Sequence, residues 1–184
     1  MLKKSHRLSL VSGLLAVAAL AAAVLALAPS ALAAGGGRTG FGFNARDISG
    51  FPTGAVFLTG GGAYDPETGF VHSAGGFRCT EAVEQGPLAG CLEGQGVRWD
   101  TAELLAETKF KCTGEASETA KPAVTDENTA VLLSDFYRAG DGIDESFTAQ
   151  MIVSGEDIAP DIEGVQNVWI QGVGCATANV HFSR

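Results

Sequence analysis

The chain has 184 residues, and its 21 acidic side chains outnumber its 12 Lys and Arg side chains, giving a formal net charge of −9. This charge argues against a role on nucleic acid or on anionic lipid, because both are polyanions that repel an acidic protein. The sequence contains no nucleotide-binding loop, no nucleophile elbow and no close cysteine pair of the zinc type, so those classes of enzyme and metal site also lack support.

The first 33 residues have the pattern of a secretory signal peptide. Three basic residues within the first seven positions precede a nearly unbroken apolar run over 8–28. Ala31 and Ala33 provide the small side chains that a signal peptidase accepts, so we predict cleavage after Ala33 and a protein that is secreted or held in the cell envelope. The alternative is an uncleaved membrane anchor, since the apolar run is about long enough to span a bilayer.

Cleavage after Ala33 would leave 151 residues, the size of one ordinary domain. It would also change the formal net charge to −12, because the signal peptide contains three basic residues and no acidic ones. We expect no stable membrane anchor after cleavage. The glycine-rich stretch over 34–46 predicts a flexible leader, and residues 47–184 then form a single domain.

A β-hairpin is the clearest local prediction in the exported part. Strand-like segments from Ala55 and over 70–79 flank the turn 65–69, which has the sequence Asp-Pro-Glu-Thr-Gly. Asp begins such a turn, Pro fixes the backbone of the next position, and Gly adopts the left-handed conformation at its end. Glycine clusters at 60–62 and 75–76 indicate places where the sheet bends sharply or another chain comes close.

Four cysteines lie in the exported part, at spacings that do not resemble a zinc site. An even number of cysteines in an oxidising compartment favours two disulfide bonds, for which three pairings exist. We favour Cys79 with Cys91, which closes a short loop, and Cys112 with Cys175, which joins two predicted strands.

The middle of the chain predicts short strands and one short helix. Asp100 followed by Glu103 is typical of a helix start, so we expect a helix over 100–107. The alternation of polar and apolar residues over 108–112 then predicts a strand. The polar segment 121–129 contains a proline and is interpreted as a loop.

The last third of the chain predicts further strands. Segments 130–138 and 147–153 have strand composition, and an acidic loop over 155–164 follows them. In the final segment, 168–182, apolar and glycine residues share one parity, which predicts a strand with one buried face. We expect a break or bulge in this strand at Gly172 or Gly174.

Seven or eight short strands with regular turns predict an all-β protein, and we favour an antiparallel β-barrel. High glycine content supports the bending that closure requires, and closure removes exposed strand edges. A β-sandwich is the alternative, because the same strand pattern serves both architectures. An outer-membrane barrel is a weaker alternative, since the few aromatic residues give no sign of two interfacial girdles.

This expected architecture resembles the calycin and allene-oxide-cyclase barrels. The resemblance is at the level of the fold, and the early Gly-x-Trp motif of the lipocalins is absent from the sequence. It implies a barrel whose mouth accepts a small apolar ligand, and it assigns no residue a role.

A non-enzymatic binding function is the first hypothesis, with an apolar small molecule or an extracellular protein as the partner. The candidate ligand-binding residues are large amphipathic side chains, which offer contact area together with one polar group each. These residues are Trp99, Tyr137, Trp169 and His181.

A small barrel enzyme of the isomerase or cyclase type is the alternative hypothesis. Such an enzyme would use His72 or His181 with a neighbouring acid such as Asp135, in a pocket that excludes water. No catalytic residue is assigned on this basis. The sequence predicts no cofactor and no metal site.

Overall fold

The computed structural model describes residues 37–140 and 144–184. The predicted signal peptide, residues 1–33, lies outside these ranges. Across the described residues the protein is all β, with strands and turns but no α-helix. That part of the chain accordingly has no helix long and apolar enough to cross a membrane.

Strands in the described ranges are numbered in chain order. They are β1 (Thr39–Gly50), β2 (Ala55–Asp65), β3 (Phe70–Glu81), β4 (Arg98–Leu105), β5 (Glu107–Phe110), β6 (Lys121–Val124), β7 (Thr129–Tyr137), β8 (Phe147–Ser154), β9 (Val168–Ile170), β10 (Gly174–Ala176) and β11 (Asn179–Ser183). β5 and β6 pair only with each other, and the other nine strands form one antiparallel sheet.

The large sheet closes on itself through its first strand. From β10 the order runs β9, β8, β7, β4, β3, β2 and β1, and β1 then pairs with β10 again. Gly50 lies opposite Gly174 at this closure, while the start of β1 pairs with β11, where Phe41 lies opposite Phe182. The result is a ring of eight strands with a barrel-like architecture, as predicted. A sandwich of two separate sheets would lack this closure.

Alternate residues of the ring strands point inward and form the main hydrophobic core, which we call the interior cluster. Each fully buried apolar side chain contributes about 1.5–3 kcal/mol through its removal from water. The larger members of this cluster are Phe41, Phe43, Leu58, Tyr64, Phe77, Trp99, Leu132, Phe136, Met151 and Ile170.

Two glycines make room for a tryptophan inside the ring. Gly60 lies opposite Gly75, which lies opposite Trp99. A Cβ atom at Gly60 would lie 2.6 Å from a ring carbon of Trp99, and one at Gly75 would lie 2.7 Å from its Nε1. The indole N–H donates a hydrogen bond of 3.0 Å to the carbonyl oxygen of Thr59. The predicted close approach at the glycine clusters is therefore made by the backbones of the neighbouring strands and, at Gly60 and Gly75, also by this indole ring.

A second hydrophobic core, the outer cluster, lies on the outside of the ring. Segments outside the ring contribute part of it: the β5–β6 hairpin and the loop that follows β8. They pack against outward-facing residues of β7, β8, β9 and β10. Its members are Phe110, Cys112, Ala123, Val131, Ile152, Ala159, Trp169 and Cys175.

A buried carboxylate ties the segment beside the outer cluster together. Glu118 accepts hydrogen bonds of 2.8 Å from the backbone N–H groups of Cys112 and Thr113, and Lys121 bridges Glu118 and Asp161. Burial favours the neutral acid, but hydrogen bonds from Thr113, from Lys121 and from the backbone outweigh it, so the pKa of Glu118 falls to about 2. Glu118 is therefore ionised at neutral pH.

Each core contains one disulfide bond. Cys79 is bonded to Cys91 in the interior cluster, and Cys112 is bonded to Cys175 in the outer cluster. These are the two pairings that we favoured from the sequence. Two structural disulfides suggest that the protein folds in an oxidising environment.

The predicted hairpin is confirmed between β2 and β3. Asp65 lies opposite Phe70, and its side chain accepts a hydrogen bond of 3.0 Å from the backbone N–H of Glu67. The N–H of Gly69 donates to the carbonyl oxygen of Asp65 at 2.9 Å, and Gly69 has a φ of +72°. The turn therefore uses its glycine in the left-handed conformation, as its sequence requires.

The predicted flexible leader over 34–46 is wrong for residues 39–46. These residues form most of β1, which pairs with β2 on one side and with β11 on the other. Phe41 and Phe43 alternate with small or polar neighbours and are buried inside the ring. Gly40 and Gly42, on either side of Phe41, face outward, so they allow close strand pairing and do not make this segment flexible.

Two further expectations for the middle of the chain are also wrong. The predicted helix over 100–107 is a strand, because β4 pairs with β7 along its length, with a bulge between Thr101 and Glu103. The start of the predicted loop over 121–129 is β6, where Pro122 lies opposite Lys109 of β5. In both places pairing with a distant strand overrides the local sequence preference.

The final segment turns back on itself at the expected glycines. Gly172 and Gly174 have φ values of +79° and +135°, and β9 pairs with β10 across this turn. The predicted parity holds on both sides of it. Val168 and Ile170 belong to the interior cluster, whereas Trp169 faces the outer cluster.

Candidate binding surface

The two candidate tryptophans lie in different hydrophobic cores. Trp99 is fully buried inside the ring, with its ring centroid 6.0 Å from that of Phe43. Trp169 is 3% exposed and packs against Phe110 in the outer cluster, and its indole N–H donates to the carbonyl oxygen of Lys111 at 2.8 Å. The structure therefore does not bring these two residues into one pocket.

Tyr137 and His181 lie nearer to solvent. His181 is exposed on β11. Tyr137 is half-buried under the guanidinium of Arg98, which lies 3.6 Å from the ring centroid, and its hydroxyl donates to Asp100 at 3.2 Å. Burial and the neighbouring Asp100 carboxylate raise the pKa of Tyr137, so its hydroxyl stays protonated at neutral pH.

The enzyme hypothesis needs a histidine in polar contact with a carboxylate, and the structure shows no such contact among the described residues. His72 is exposed on β3, and Asp135 on β7 accepts a hydrogen bond of 2.7 Å from Thr148. Over residues 37–140 and 144–184, no hydrogen bond or ion pair joins either histidine to a carboxylate. The same residues contain no group of three or more side chains that could hold a metal ion.

Side chains fill the ring interior, where the sequence placed an apolar ligand. One inward-facing row crosses from Phe43 through Gly60 and Gly75 to Trp99 and Phe136. The indole of Trp99 occupies the space above both glycines. The residues that fill this interior are themselves the core that stabilises the ring, so removing them to admit a ligand would cost stability.

A groove of about 740 Å³ lies on the outer face of the sheet. Strands β1, β2 and β3 and the segment before β4 contribute its walls. Gly76 and Gly96 carry no side chain and leave the groove open between its larger residues. The lining residues are Arg46, Phe57, Gly76, Phe77, Arg78, Thr80, Gly96 and Val97.

Strand register places an aromatic ring between two arginines in this groove. Phe57 on β2 lies directly opposite Arg78 on β3. Arg46 on β1 follows Ala45, which lies opposite Leu58, and it sits where the register between β1 and β2 shifts. The strands that carry the two arginines are thus two strand spacings, or about 10 Å, apart.

Both of these arginines are exposed, and the described residues offer neither an ion pair nor a hydrogen bond to their guanidinium groups. Two other arginines of the same protein are paired, Arg98 with Asp100 and Arg184 with Glu127. Arg46 and Arg78 therefore form a local positive surface on a protein whose overall charge is negative.

A polar atom without a partner also lies in the groove wall. The Thr80 hydroxyl oxygen is shielded from solvent and has no hydrogen-bond partner in the part of the chain that the structure describes. Such a group costs about 1–3 kcal/mol unless a partner satisfies it. Ser134, inside the ring, has the second hydroxyl oxygen of this kind.

The outward-facing surface continues beyond the groove. In the next outward-facing row, Thr59 lies opposite Gly76, Gly76 opposite Arg98, and Arg98 opposite Tyr137. Of the four candidates from the sequence, Tyr137 thus lies beside this surface. We call the groove together with Arg98 and Tyr137 the arginine–aromatic surface.

A second, acidic cleft of about 580 Å³ lies elsewhere on the molecule, around the β2–β3 turn. Its charged residues include Asp65, Glu67, Asp126 and Glu127. These carboxylates do not form a metal-binding group, as stated above for the described residues. Hydrogen bonding by the Thr68 side chain, partly opposed by burial, lowers the pKa of Asp65, which fits its structural role in the turn.

Comparison with known proteins gives no match: no protein-family model, no curated protein and no solved structure is significantly similar to this chain.

Sequence reasoning missed Arg46, Phe57, Arg78 and Thr80. One signal for part of the site was present, because the turn at 65–69 sets the register of its hairpin. Counting back from that turn places Phe57 opposite Arg78. The position of Arg46 depends on a bulge in β1, which the sequence does not indicate.

Proposed function

We propose that this is an exported, non-enzymatic binding protein that recognises a partner with anionic groups on its arginine–aromatic surface. The observation that carries the proposal is the pair of unpaired arginines that flank Phe57 in an open groove. Guanidinium groups bind carboxylates through two parallel hydrogen bonds, and an adjacent aromatic ring adds apolar contact. The expected binding site thus moves from the ring interior to its outer face.

Export is supported by two independent features. The predicted signal peptide over 1–33 would direct the chain across a membrane, and the two disulfide bonds suit the oxidising compartment beyond it. The protein is then secreted or held in the cell envelope, where its negative charge favours solubility.

Binding is retained over catalysis because the enzyme hypothesis required a histidine beside a carboxylate in a closed pocket. No hydrogen bond or ion pair joins either histidine to a carboxylate among the described residues, and the interior that would exclude water is filled. No observation favours a second function.

Chromatography on a carboxylate-bearing methacrylate support tests the proposal. At neutral pH and low salt, a protein with this net charge should pass through unless a local positive surface binds the support. We expect the mature protein to be retained and to elute with increasing salt, because exposed charge pairs are screened.

The double variant Arg46→Ala/Arg78→Ala should lose this retention. Lys109→Ala/Arg184→Ala is the matched control, since it removes the same charge from exposed residues outside the groove and should be retained. If the wild-type protein flows through, or if both double variants lose retention equally, the groove is not the binding surface.

A further inference from the structure

We propose that the ligand of this groove is a polysaccharide in which carboxylated sugars alternate with neutral ones. The inference rests on the proposed function, because it names the class of partner for the same surface. It follows from the open shape of the groove, the strand pairing beneath it, the order of its side chains and the unsatisfied hydroxyl of Thr80.

The shape of the groove suits an extended polymer. A small-molecule site usually encloses most of its ligand. Here Arg46 and Arg78 are exposed, Val97 is 53% exposed, and Gly76 leaves the surface open towards Tyr137. A chain can therefore lie along the face of the sheet and extend past both ends of the groove.

The paired strands beneath the groove disfavour a peptide. β2 is paired with β3 on one edge throughout the groove and with β1 on the other edge, apart from the register shift beside Phe57. Its backbone N–H and C=O groups are already used, so a peptide could not bind by adding a strand. The side chains alone must recognise the ligand, which is the usual situation for a sugar chain without a peptide backbone.

The order of side chains fits a sugar ring between two carboxylates. The C–H face of a pyranose ring can pack on the flat face of Phe57, whose ring carries negative charge on that face. Arg46 and Arg78 lie on either side, on strands that are about 10 Å apart, a spacing comparable to the length of one disaccharide. Carboxylates on every second sugar would then meet successive guanidinium groups.

The groove matches a sparsely charged polyanion better than a dense one. Its lining contains two arginines and no other basic side chain, so further carboxylates would find no partner there. At physiological ionic strength, charges farther than about 8 Å apart are largely screened, so the two arginines dominate locally. A sparsely charged chain gains their attraction with little repulsion.

The hydroxyl of Thr80 supplies a hydrogen bond that a sugar can complete. Its oxygen has no protein partner among the described residues, and it lies in the groove wall. Rotation about the Cα–Cβ bond can direct it outward. A sugar hydroxyl can both donate and accept a hydrogen bond. It can therefore pair with the Thr80 hydroxyl whether Thr80 acts as the donor or as the acceptor.

Binding to an immobilised hyaluronan oligosaccharide tests this inference, because that chain carries a carboxylate on alternate sugars. Poly-glutamate of matched carboxylate number is the comparison probe. We expect the mature protein to bind the oligosaccharide more tightly than poly-glutamate. Phe57→Ala and Arg46→Ala/Arg78→Ala should each weaken this binding by about tenfold or more, and Lys109→Ala/Arg184→Ala should not.

Thr80→Val separates a binding role from a structural one. The variant removes an unsatisfied hydroxyl, so it should raise the midpoint of thermal unfolding while weakening oligosaccharide binding several-fold. Ser134→Ala is the matched control, since it removes the other unsatisfied hydroxyl from inside the ring. It should raise the unfolding midpoint without changing binding.

The outcomes distinguish this inference from the proposed function. Poly-glutamate binding equal to or tighter than oligosaccharide binding would overturn the ligand class in favour of an acidic peptide. Retention on the methacrylate support without any oligosaccharide binding would overturn the ligand class alone. Failure of both experiments would overturn the groove as a binding surface. Near-ultraviolet circular dichroism verifies that each variant is folded.

Discussion

The interior and outer clusters bury apolar side chains by different means. Each contains one tryptophan whose indole N–H donates to a backbone carbonyl, and each contains one disulfide. The interior cluster is built mainly by the ring strands, through their alternation, and the segment between β3 and β4 adds Val83, Leu88 and Cys91. The outer cluster depends on segments outside the ring, including the β5–β6 hairpin and the loop after β8. Ring closure therefore specifies the first, whereas the second needs cross-links to hold its segments in place.

The same contrast divides the outer face of the ring. One part of the outer face of β7–β10 is apolar, and the chain covers this part with its own segments. The outer face of β1–β3 carries Arg46 and Arg78 and is left open as a groove. The protein thus buries an apolar part of its outer surface and leaves a charged part for a partner.

Among the substitutions considered, Trp99→Ala is expected to lower the free energy of unfolding the most. The residue fills space that Gly60 and Gly75 cannot fill, so the cavity should persist and lower the free energy of unfolding by about 3–5 kcal/mol. Trp169→Ala should cost less, about 2 kcal/mol, because the surrounding loop can move into the space. Urea titration measures both. An equal or larger effect of Trp169→Ala would contradict the distinction between the two cores.

Removing the disulfide of the outer cluster should lower the free energy of unfolding more than removing that of the interior cluster. Cys112 and Cys175 are 63 residues apart, and Cys79 and Cys91 are 12 apart. Because a longer loop restricts the unfolded chain more, Cys112→Ala/Cys175→Ala should cost about 4 kcal/mol and Cys79→Ala/Cys91→Ala about 3 kcal/mol.

Hydrogen exchange shows where the structure opens in each disulfide variant. Without the Cys112–Cys175 bond, we expect faster amide exchange in β5, β6 and the loop after β8, with the ring strands still protected. Uniform acceleration across the ring would mean that the outer cluster is not a separate unit.

The smallest expected change in the free energy of unfolding is that of Glu118→Gln. Its side chain is 9% exposed and holds backbone N–H groups beside the outer disulfide, so Glu118→Gln should cost about 1–2 kcal/mol at pH 7. The folded pKa of about 2 lies below the ordinary value of 4.5. The stability that the carboxylate contributes is therefore complete above pH 4.5 and is lost as the pH falls towards 2.

Measuring the free energy of unfolding of both proteins across this range tests the Glu118 prediction. The difference between wild type and Glu118→Gln should shrink as the pH decreases from 4.5. A difference that stays constant down to pH 2 would show that the charge on Glu118 does not stabilise the fold.

Most of the all-β architecture could be predicted because it depends on local signals. The turn at 65–69 and the parity of the final segment both indicate structure within a few residues. The errors at β1, β4 and β6 arose where a distant partner decides the conformation. Asp100, for example, begins a sequence typical of a helix, yet β4 is held extended by β7.

The candidate site was harder to predict than the fold. Large amphipathic residues suggest a ligand pocket, but Trp99 and Trp169 are also suited to close packing, and the structure uses them in its cores. Arg46 and Arg78 are far apart in sequence and become neighbours only through strand register. An exposed arginine carries no sequence signal that distinguishes a ligand-binding residue from a solvated one.

The closure of the ring between β1 and β10 also constrains the order of folding. A chain that emerges from a membrane amino end first presents β1 early, but the partners of its second edge, β10 and β11, arrive only after the rest of the ring. Until then β1 has one open edge, and the interior has one open side. Under the export that we propose, completion of the ring would thus follow completion of transfer, and the chain would stay unfolded enough to be threaded until then.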